Sequence, residues 1–310
     1  MNTPSGEGKS IIGQKATPVE QKELFAAGHR GCAGCAEGAT VRAVLAAAGP
    51  NTIVANATGC LEVMTTSYPE TAWEVPWVHS AFENAAAMAS GVEAALKARG
   101  KREGVNILAF AGDGGTFDIG LQALSGMLER GHKITFVCFD NEAYMNTGIQ
   151  RCSSTPFGAT TTTSPAGSKA FGKMERKKPI AAIVAAHDIP YVATATLAYP
   201  FDLDKKVKKA LSMDGPSFIH VLCSCVPGWG IPSERSIEVL KLAVQTGVFP
   251  LWELEGSDFR KLVVTQKTGP RKPVIEYLKT QSRFSNVLDK PEIIEKIQKD
   301  IDDKAKEYGL

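Results

Sequence analysis

The sequence predicts an α/β protein: a mostly parallel sheet with helices on both faces, followed by a C-terminal helical extension. Three observations predict it. Val105–Ala111 and Ile134–Phe139 are continuous apolar runs, as strands buried on both faces require. Between them lie a glycine-rich turn, Gly112-Asp113-Gly114-Gly115, and a helical stretch, Asp118–Arg130, closed by Gly131. Strand, loop, helix and strand in that order form the repeating unit of a parallel sheet. Finally, Glu292–Tyr308 sets Ile293, Ile297 and Ile301 four apart, the apolar stripe of a docking helix.

Taken in order, residues 1–20 read as a loose lead-in. Met1–Lys15 is rich in Gly, Ser and Lys and lacks the apolar stretch of a secretory leader. A Gly/Cys-rich loop opens a helix over Ala36–Ala48, and Asn51–Ala57 follows as a strand. Thr65–Val78, with its Pro, Trp and Thr residues, reads as a loop. Ala81–Arg99 reads as a helix stopped by Gly100. Asn146–Lys173 has no periodicity, and an aperiodic stretch of that length inside a domain is usually functional. Ile180–Ala186 (helix), Tyr191–Thr196 (strand), Phe201–Leu211 (helix) and Ser217–Cys223 (strand) come next. The expected organisation is a lead-in over 1–20, one domain over 21–250, and an extension over 251–310 that packs on this chain or on a partner.

The 310 residues carry 35 Lys+Arg against 33 Asp+Glu, a balance of +2. With no basic run interleaved with aromatics, no nucleic-acid partner is expected. A chain 44% hydrophobic and 22% charged suits a globular protein rather than a disordered or fibrous one. The longest apolar run, Ile180–Ala186, falls far short of the roughly 20 residues of a spanning helix. No membrane partner is expected, and the cytoplasm is the expected compartment. There, seven cysteines point to metal ligation or catalysis rather than a disulfide framework.

Asp113 sits in a glycine-rich turn after a buried strand, and ligands of parallel sheets bind at the carboxyl ends of strands. Glycines there let the backbone approach a bulky anion. A carboxylate at the same turn suits a hard divalent cation that bridges phosphates. The next strand ends in Asp140-Asn141-Glu142-Ala143, where the Asn141 amide and the Ala143 carbonyl offer two further oxygens. A Gly-Asp-Gly turn alone is ordinarily a capped turn. The downstream asparagine, one helix and one strand later, makes the pattern specific.

Cys32-Ala33-Gly34-Cys35 is a CxxC ahead of a helix; Cys60 follows a strand; Cys223 and Cys225 end another, just before Pro227-Gly228-Trp229. Four thiolates suit either a zinc site or a [4Fe–4S] cluster. A CxxC with two distant single cysteines fits the cluster at least as well as zinc. Cys223 and Cys225 have the same parity, so strand alternation does not choose between them. Cys138, inside a strand, reads as a small buried hydrophobe. Cys152 and Arg151, in the long loop, read as an exposed thiol and a solvated cation without a role. His29 and His79 lie in loops, where a structural hydrogen bond is the ordinary outcome and acid–base work the alternative.

Together these segments resemble the β subunit of the pyruvate-acting 2-oxoacid:ferredoxin oxidoreductases. The resemblance runs from about Gly28 to about Leu251, on GHRGCAGCAEG (28–38), TGC (58–60), PWVHSAFENAAAMASGVEAALK (76–97), AGDGGTFDIGLQALSGMLERGH (111–132) and FDNEAYMNTGIQRCSSTPFGATTTTSP (139–165). It implies a thiamine diphosphate (ThDP)-binding fold over 21–250. It implies ThDP-dependent oxidative decarboxylation of a 2-oxoacid, with electrons passing through one [4Fe–4S] cluster to ferredoxin and the acyl group passing to coenzyme A.

Residue by residue, Cys32, Cys35, Cys60 and Cys225 would ligate the cluster. Cys225 is preferred over Cys223 because it lies four before Trp229, although Ser224 and Val226 stand where the family usually has prolines. Asp113, Asn141 and the Ala143 carbonyl would hold Mg²⁺; Gly112, Gly114 and Gly115 would wrap the diphosphate. Glu37 would contact the cofactor, and Asn146 would face the reacting centre as a catalytic residue. The glutamate that addresses the aminopyrimidine would come from an α subunit, with γ- and δ-type subunits completing the assembly. The competing readings are the same family acting on 2-oxoisovalerate, an aromatic 2-oxoacid or oxalate, a ThDP decarboxylase without electron transfer, and a zinc-stabilised interaction module.

Overall fold

The protein is described by a computed structural model covering residues 23–67, 69–267 and 269–309; the expected lead-in over 1–20 lies outside them. The chain first forms α1 (Ala36–Ala48), β1 (Thr52–Ala57), α2 (Cys60–Thr65), β2 (Trp77–Ser80), α3 (Ala85–Ala98), β3 (Asn106–Gly112), α4 (Leu121–Glu129) and β4 (Thr135–Asp140). After a long connection follow α5 (Ile180–Ala185), β5 (Tyr191–Thr196), α6 (Pro200–Ser212), β6 (Ser217–Leu222), α7 (Val226–Trp229) and α8 (Ser236–Gln245). The C-terminal part adds β7 (Trp252–Leu254), β8 (Val263–Val264), α9 (Ile275–Leu278) and α10 (Pro291–Glu307).

The eight strands form one sheet in the order β2-β1-β3-β4-β6-β5-β7-β8. The six strands from β2 to β5 in that order run parallel, while β7 and β8 join antiparallel. Strand alternation builds two cores, one per face. Val54, Leu108, Phe110, Val137 and Phe139 meet α1, α6 and α8 on one side. Ala55, Ala57, Ile107, Ala109, Ala111 and Phe136 meet α3, α4 and α5 on the other. Every residue of β4, β5 and β6 is buried, which is why Ile134–Phe139 reads as an apolar run.

The expected elements lie close to the observed ones, with informative exceptions. The expected loop over 65–78 instead holds the start of β2, a four-residue edge strand paired only to β1. Too short to display alternation, it is recognisable in the structure by Trp77 stacking between Trp73 and His79. The expected helix from Asp118 is preceded by a π-helical turn, Gly114–Asp118. That wider turn carries the Gly-Asp-Gly loop directly into the helix and is of a kind common at functional sites. The predicted C-terminal helix is present as α10; it buries Ile301 and Ala305 and rests Ile293 and Ile297 against the first core. No helix among the described residues is long and apolar enough to cross a membrane.

Candidate active site

Because β1, β3, β4 and β6 are parallel neighbours, their carboxyl ends share one edge of the sheet. There the chain releases Thr58-Gly59-Cys60, Asp113-Gly114-Gly115, Asn141-Glu142-Ala143 and Cys223-Ser224-Cys225. A cleft of about 680 Å³, its open mouth included, lies at this edge. Glu37, Cys60, Gly112, Asp113, Gly114, Gly115, Asn141, Ala143 and Asn146 all line it. Residues separated by up to 109 positions in sequence are thus brought to one wall system by topology alone.

Asp113 is buried. Its Oδ1 accepts from Gly114 N at 2.9 Å, and its Oδ2 accepts from Ser154 Oγ at 2.5 Å and from the Cys152 thiol at 3.2 Å. Burial and the nearby Asp140 charge raise its carboxyl well above the usual range, against those hydrogen bonds. A cation at this carboxylate would relieve both causes. Two of the glycines leave no room for side chains. A Cβ on Gly114 would stand 2.1 Å from the Tyr144 ring, and one on Gly115 would stand 2.9 Å from the Phe82 carbonyl.

Asn141 joins the two constellations read from the sequence. Its Nδ2 donates to Glu37 Oε1 at 2.6 Å and lies 3.9 Å from the Cys60 sulfur. Its Oδ1 is buried without a partner, as are Glu37 Oε2 and both amide atoms of Asn56. Buried polar atoms without partners are costly and rare, so a cluster of them marks a place where a ligand completes the hydrogen bonding. A carboxylate, an amide oxygen and a main-chain carbonyl are hard oxygen donors that fit Mg²⁺ on a diphosphate. Burial pushes Glu37 up to about 7, which the Asn141 hydrogen bond only partly offsets.

The cysteines meet at the same edge. Cys35 N donates to the Cys32 carbonyl, and Ala36 N donates to the Ser224 carbonyl, tying the CxxC turn to the end of β6. Burial, followed by the Glu37 charge, pushes the Cys35 thiol up to about 12, and the nearby thiols of Cys225 and Cys32 add to this. Burial likewise raises Cys60, with Glu37, Cys225, Cys35 and Asp113 all contributing. Cys225 rises to about 11 through burial, and Gly228 N donates to its sulfur at 3.4 Å. Cys223 is fully buried with its sulfur 3.8 Å from Thr40 Oγ1. Among the described residues no three His, Cys, Asp or Glu side chains are grouped closely enough to hold one metal ion. The four thiols of Cys32, Cys35, Cys60 and Cys225 fit, in chemistry and neighbourhood, a sulfur-ligated cluster that spans them.

Residues 57–221 match the family of thiamine pyrophosphate enzymes through its C-terminal TPP-binding domain. The chain is 59% identical over 296 residues to pyruvate synthase subunit PorB of Methanocaldococcus jannaschii, covering 94% of this chain and 98% of that one. This chain belongs to the 2-oxoacid:ferredoxin oxidoreductase family, as its ThDP-binding β subunit. Ketoisovalerate oxidoreductase subunit VorB of Pyrococcus furiosus is 46% identical over 290 residues, 92% of each chain. The structure of 2-oxoglutarate:ferredoxin oxidoreductase from Magnetococcus marinus matches with a TM-score of 0.60 over 90% of this chain and 96% of that one, at 20% identity, and shares its fold.

Several residues of this oxidoreductase subunit escaped the sequence reading. Cys152 is buried rather than exposed, and with Ser154 it holds the Asp113 carboxylate. Nothing local distinguishes these two from other loop residues, because the contact spans some 40 positions. Asn56 is a polar residue after the apolar stretch Ile53-Val54-Ala55 of β1, a signal that was available in the sequence. Arg151 pairs with Glu175 at 3.3 Å on the surface. His29 packs against Phe25 and accepts from Gly31 N at 3.2 Å, a structural placement. His79 is exposed on edge strand β2, 2.7 Å from Thr58 Oγ1 at the cleft wall.

Proposed function

We propose that this β subunit acts on pyruvate and holds Mg²⁺ and ThDP in the cleft beside one [4Fe–4S] cluster. The observation that carries the reading is Asn141, whose free, buried Oδ1 and shared Nδ2 link the oxygen-donor loop to Glu37 and the Cys60 sulfur. In this reading Asp113, Asn141 Oδ1 and the Ala143 carbonyl are the Mg²⁺ ligands, while Gly112, Gly114 and Gly115 admit the diphosphate against bare backbone. Glu37 contacts the cofactor from the buried side, and Asn146 faces the reacting centre from the exposed rim. Cys32, Cys35, Cys60 and Cys225 ligate the cluster, and Cys223 is structural.

The bound groups supply carbanion stabilisation and one-electron transfer; the protein supplies binding, orientation and electrostatics. Asp113 neutralises the cation without competing protons once the cation is seated. Ser154 and the Cys152 thiol fix the carboxylate's direction. Burial pushes Glu37 up to about 7, so its negative charge beside the Cys35 and Cys60 thiols is only partial at neutral pH.

Residues 21–250 form the ThDP/[4Fe–4S]-binding domain, and 251–310 its C-terminal extension. An α subunit supplies the glutamate that addresses the aminopyrimidine, so this chain is half an active site. The γ- and δ-type subunits, ferredoxin as acceptor and coenzyme A complete the reaction in the cytoplasm. The 59% identity to a pyruvate synthase subunit supports pyruvate; within Pyrococcus furiosus the pyruvate synthase and ketoisovalerate subunits stand at 47% and 46%, so the choice against 2-oxoisovalerate, aromatic 2-oxoacids and oxalate rests on the substrate panel. The test is kcat/KM of the assembled complex on that panel. Pyruvate should exceed every competitor about tenfold or more, which corresponds to about 1.4 kcal/mol of transition-state discrimination. A higher value for 2-oxoisovalerate would reassign the substrate.

A further inference from the structure

The loop that carries Asn141 and Ala143 has an unusual residue between them. Glu142 has φ of 72°, in the left-handed region that β-carbon-bearing side chains avoid. Such a conformation persists only where the surroundings over-determine it. Here they do. Glu142 N donates to Asp140 Oδ1 at 3.0 Å, and its carbonyl accepts from Thr155 Oγ1 at 2.7 Å. Its carboxylate is buried between two cations, Lys177 Nζ at 2.7 Å and Arg283 Nη2 at 2.6 Å.

Arg283 comes from the 3-10 turn Ser282–Val287, outside the strand-and-loop frame of the cleft. It is itself almost fully buried. Its guanidinium donates to Gln281 Oε1 at 2.9 Å and to Tyr277 Oη at 3.3 Å. Its carbon Cζ lies 4.1 Å from the centre of the Trp229 ring. Trp229 Nε1 in turn donates to the Asn141 carbonyl at 2.7 Å. One guanidinium therefore grips the turn twice, through the Glu142 carboxylate and through the indole that holds the Asn141 main chain. Trp229 also ends the short helix α7, which Cys225 caps, its main-chain N–H donating to the Cys225 carbonyl at 2.9 Å.

We propose that Arg283 is a positioning residue for cofactor binding, locking the Asn141–Glu142–Ala143 turn in the left-handed conformation that turns the Asn141 amide and the Ala143 carbonyl toward the cation. This rests on the reading of Asn141 and Ala143 as Mg²⁺ ligands. The planar fork and the stacking face are both used, so lysine is not an equivalent. Without the guanidinium, Glu142 keeps one cation instead of two, Trp229 loses the face that orients it, and the turn relaxes toward negative φ. The C-terminal segment is then part of the cofactor seat although none of its residues lines the cleft.

The test uses the whole complex, stripped of cofactor by chelation and titrated calorimetrically with Mg²⁺ at saturating ThDP. Arg283→Met should weaken Mg²⁺ binding at least tenfold, and Arg283→Lys by a smaller factor, with little change in melting temperature for the lysine variant. Adding Glu142→Gly to the Arg283→Met background should recover most of the affinity, because glycine takes positive φ unaided. An arginine that merely balances the buried carboxylate would be rescued equally by Glu142→Gln, which removes the charge but keeps the cost of positive φ; glycine, and not glutamine, should restore the affinity. If Arg283→Met does not assemble, Arg283→Lys decides on the same titration. Parental affinity in a folded Arg283 variant, or no recovery in the glycine double variant, would overturn the proposal. An Asn141→Ala complex separates the two levels. If it binds Mg²⁺ as the parent does, the ligand assignment falls and the role of Arg283 falls with it. If Asn141→Ala loses the ion while the Arg283 variants keep it, only the role of Arg283 falls.

Discussion

Gly114 has no side chain because the Tyr144 ring occupies the space where one would stand. Tyr144 is in turn held by its hydroxyl donating to Asp118 Oδ2 at 3.2 Å, so the ring does not yield easily. Gly114→Ala should therefore displace Tyr144 and the adjacent Ala143 carbonyl. A rise of about tenfold in the ThDP dissociation constant is expected, worth about 1.4 kcal/mol, measured by ThDP titration of the assembled complex at fixed Mg²⁺. Unchanged affinity would mean that the loop does not contact the diphosphate. At this scale the sequence was informative where chemistry is local. Asp113 and Asn141 announce themselves by standing at strand ends among glycines. Cys225 and Cys223 could not be separated by alternation because they share a parity; in the structure β6 ends at Leu222 and neither cysteine is in the strand. Cys152, Ser154 and Arg283 were invisible because their contacts reach across 39, 41 and 141 positions.

Helix α3 shows how an element is fixed from beneath. Glu93 is buried on it and accepts from His132 at 2.5 Å, Arg102 at 3.3 Å and Lys133 N at 3.0 Å, with Lys97 one turn on. Burial alone would raise its carboxyl, but the His132 and Lys97 hydrogen bonds outweigh that and hold it below the usual 4.5. A carboxyl depressed in the folded state contributes stability that is complete above 4.5 and is lost as the pH falls through the folded value. Glu93→Gln should cost about 1 kcal/mol at neutral pH, because Lys97, Arg102 and His132 reach solvent and screen the pairs, and the gap to the parent should narrow as the pH drops below 4.5. Urea unfolding at both pH values checks this; a pH-independent gap would show that the charge is not the source. The central strands β3 and β4 were legible because burial on both faces leaves a largely apolar run. Strands β2, β7 and β8 were not, because strands of four, three and two residues are too short to display a pattern.

At the scale of the molecule, six parallel strands place the loops after β1, β3, β4 and β6 at one edge, and the Cys32–Cys35 turn joins them through the Ala36–Ser224 main-chain hydrogen bond. The α/β class followed from one strand–helix–strand unit, but the meeting of thiols and oxygen donors depends on strand order, which periodicity does not encode. The juxtaposition is the central feature: the Asp113 carboxylate lies near enough to raise the Cys60 thiol, and the Asn141 amide lies 3.9 Å from the Cys60 sulfur. The most direct test is iron, sulfide and thiamine analysis of the purified complex, with its dithionite-bleachable absorbance, for the parent, Cys225→Ala and Cys223→Ala. Cys225→Ala should lose one cluster per β subunit while retaining thiamine, and Cys223→Ala should keep its iron. Full iron in Cys225→Ala, or bound zinc in place of iron in the parent, would contradict the account.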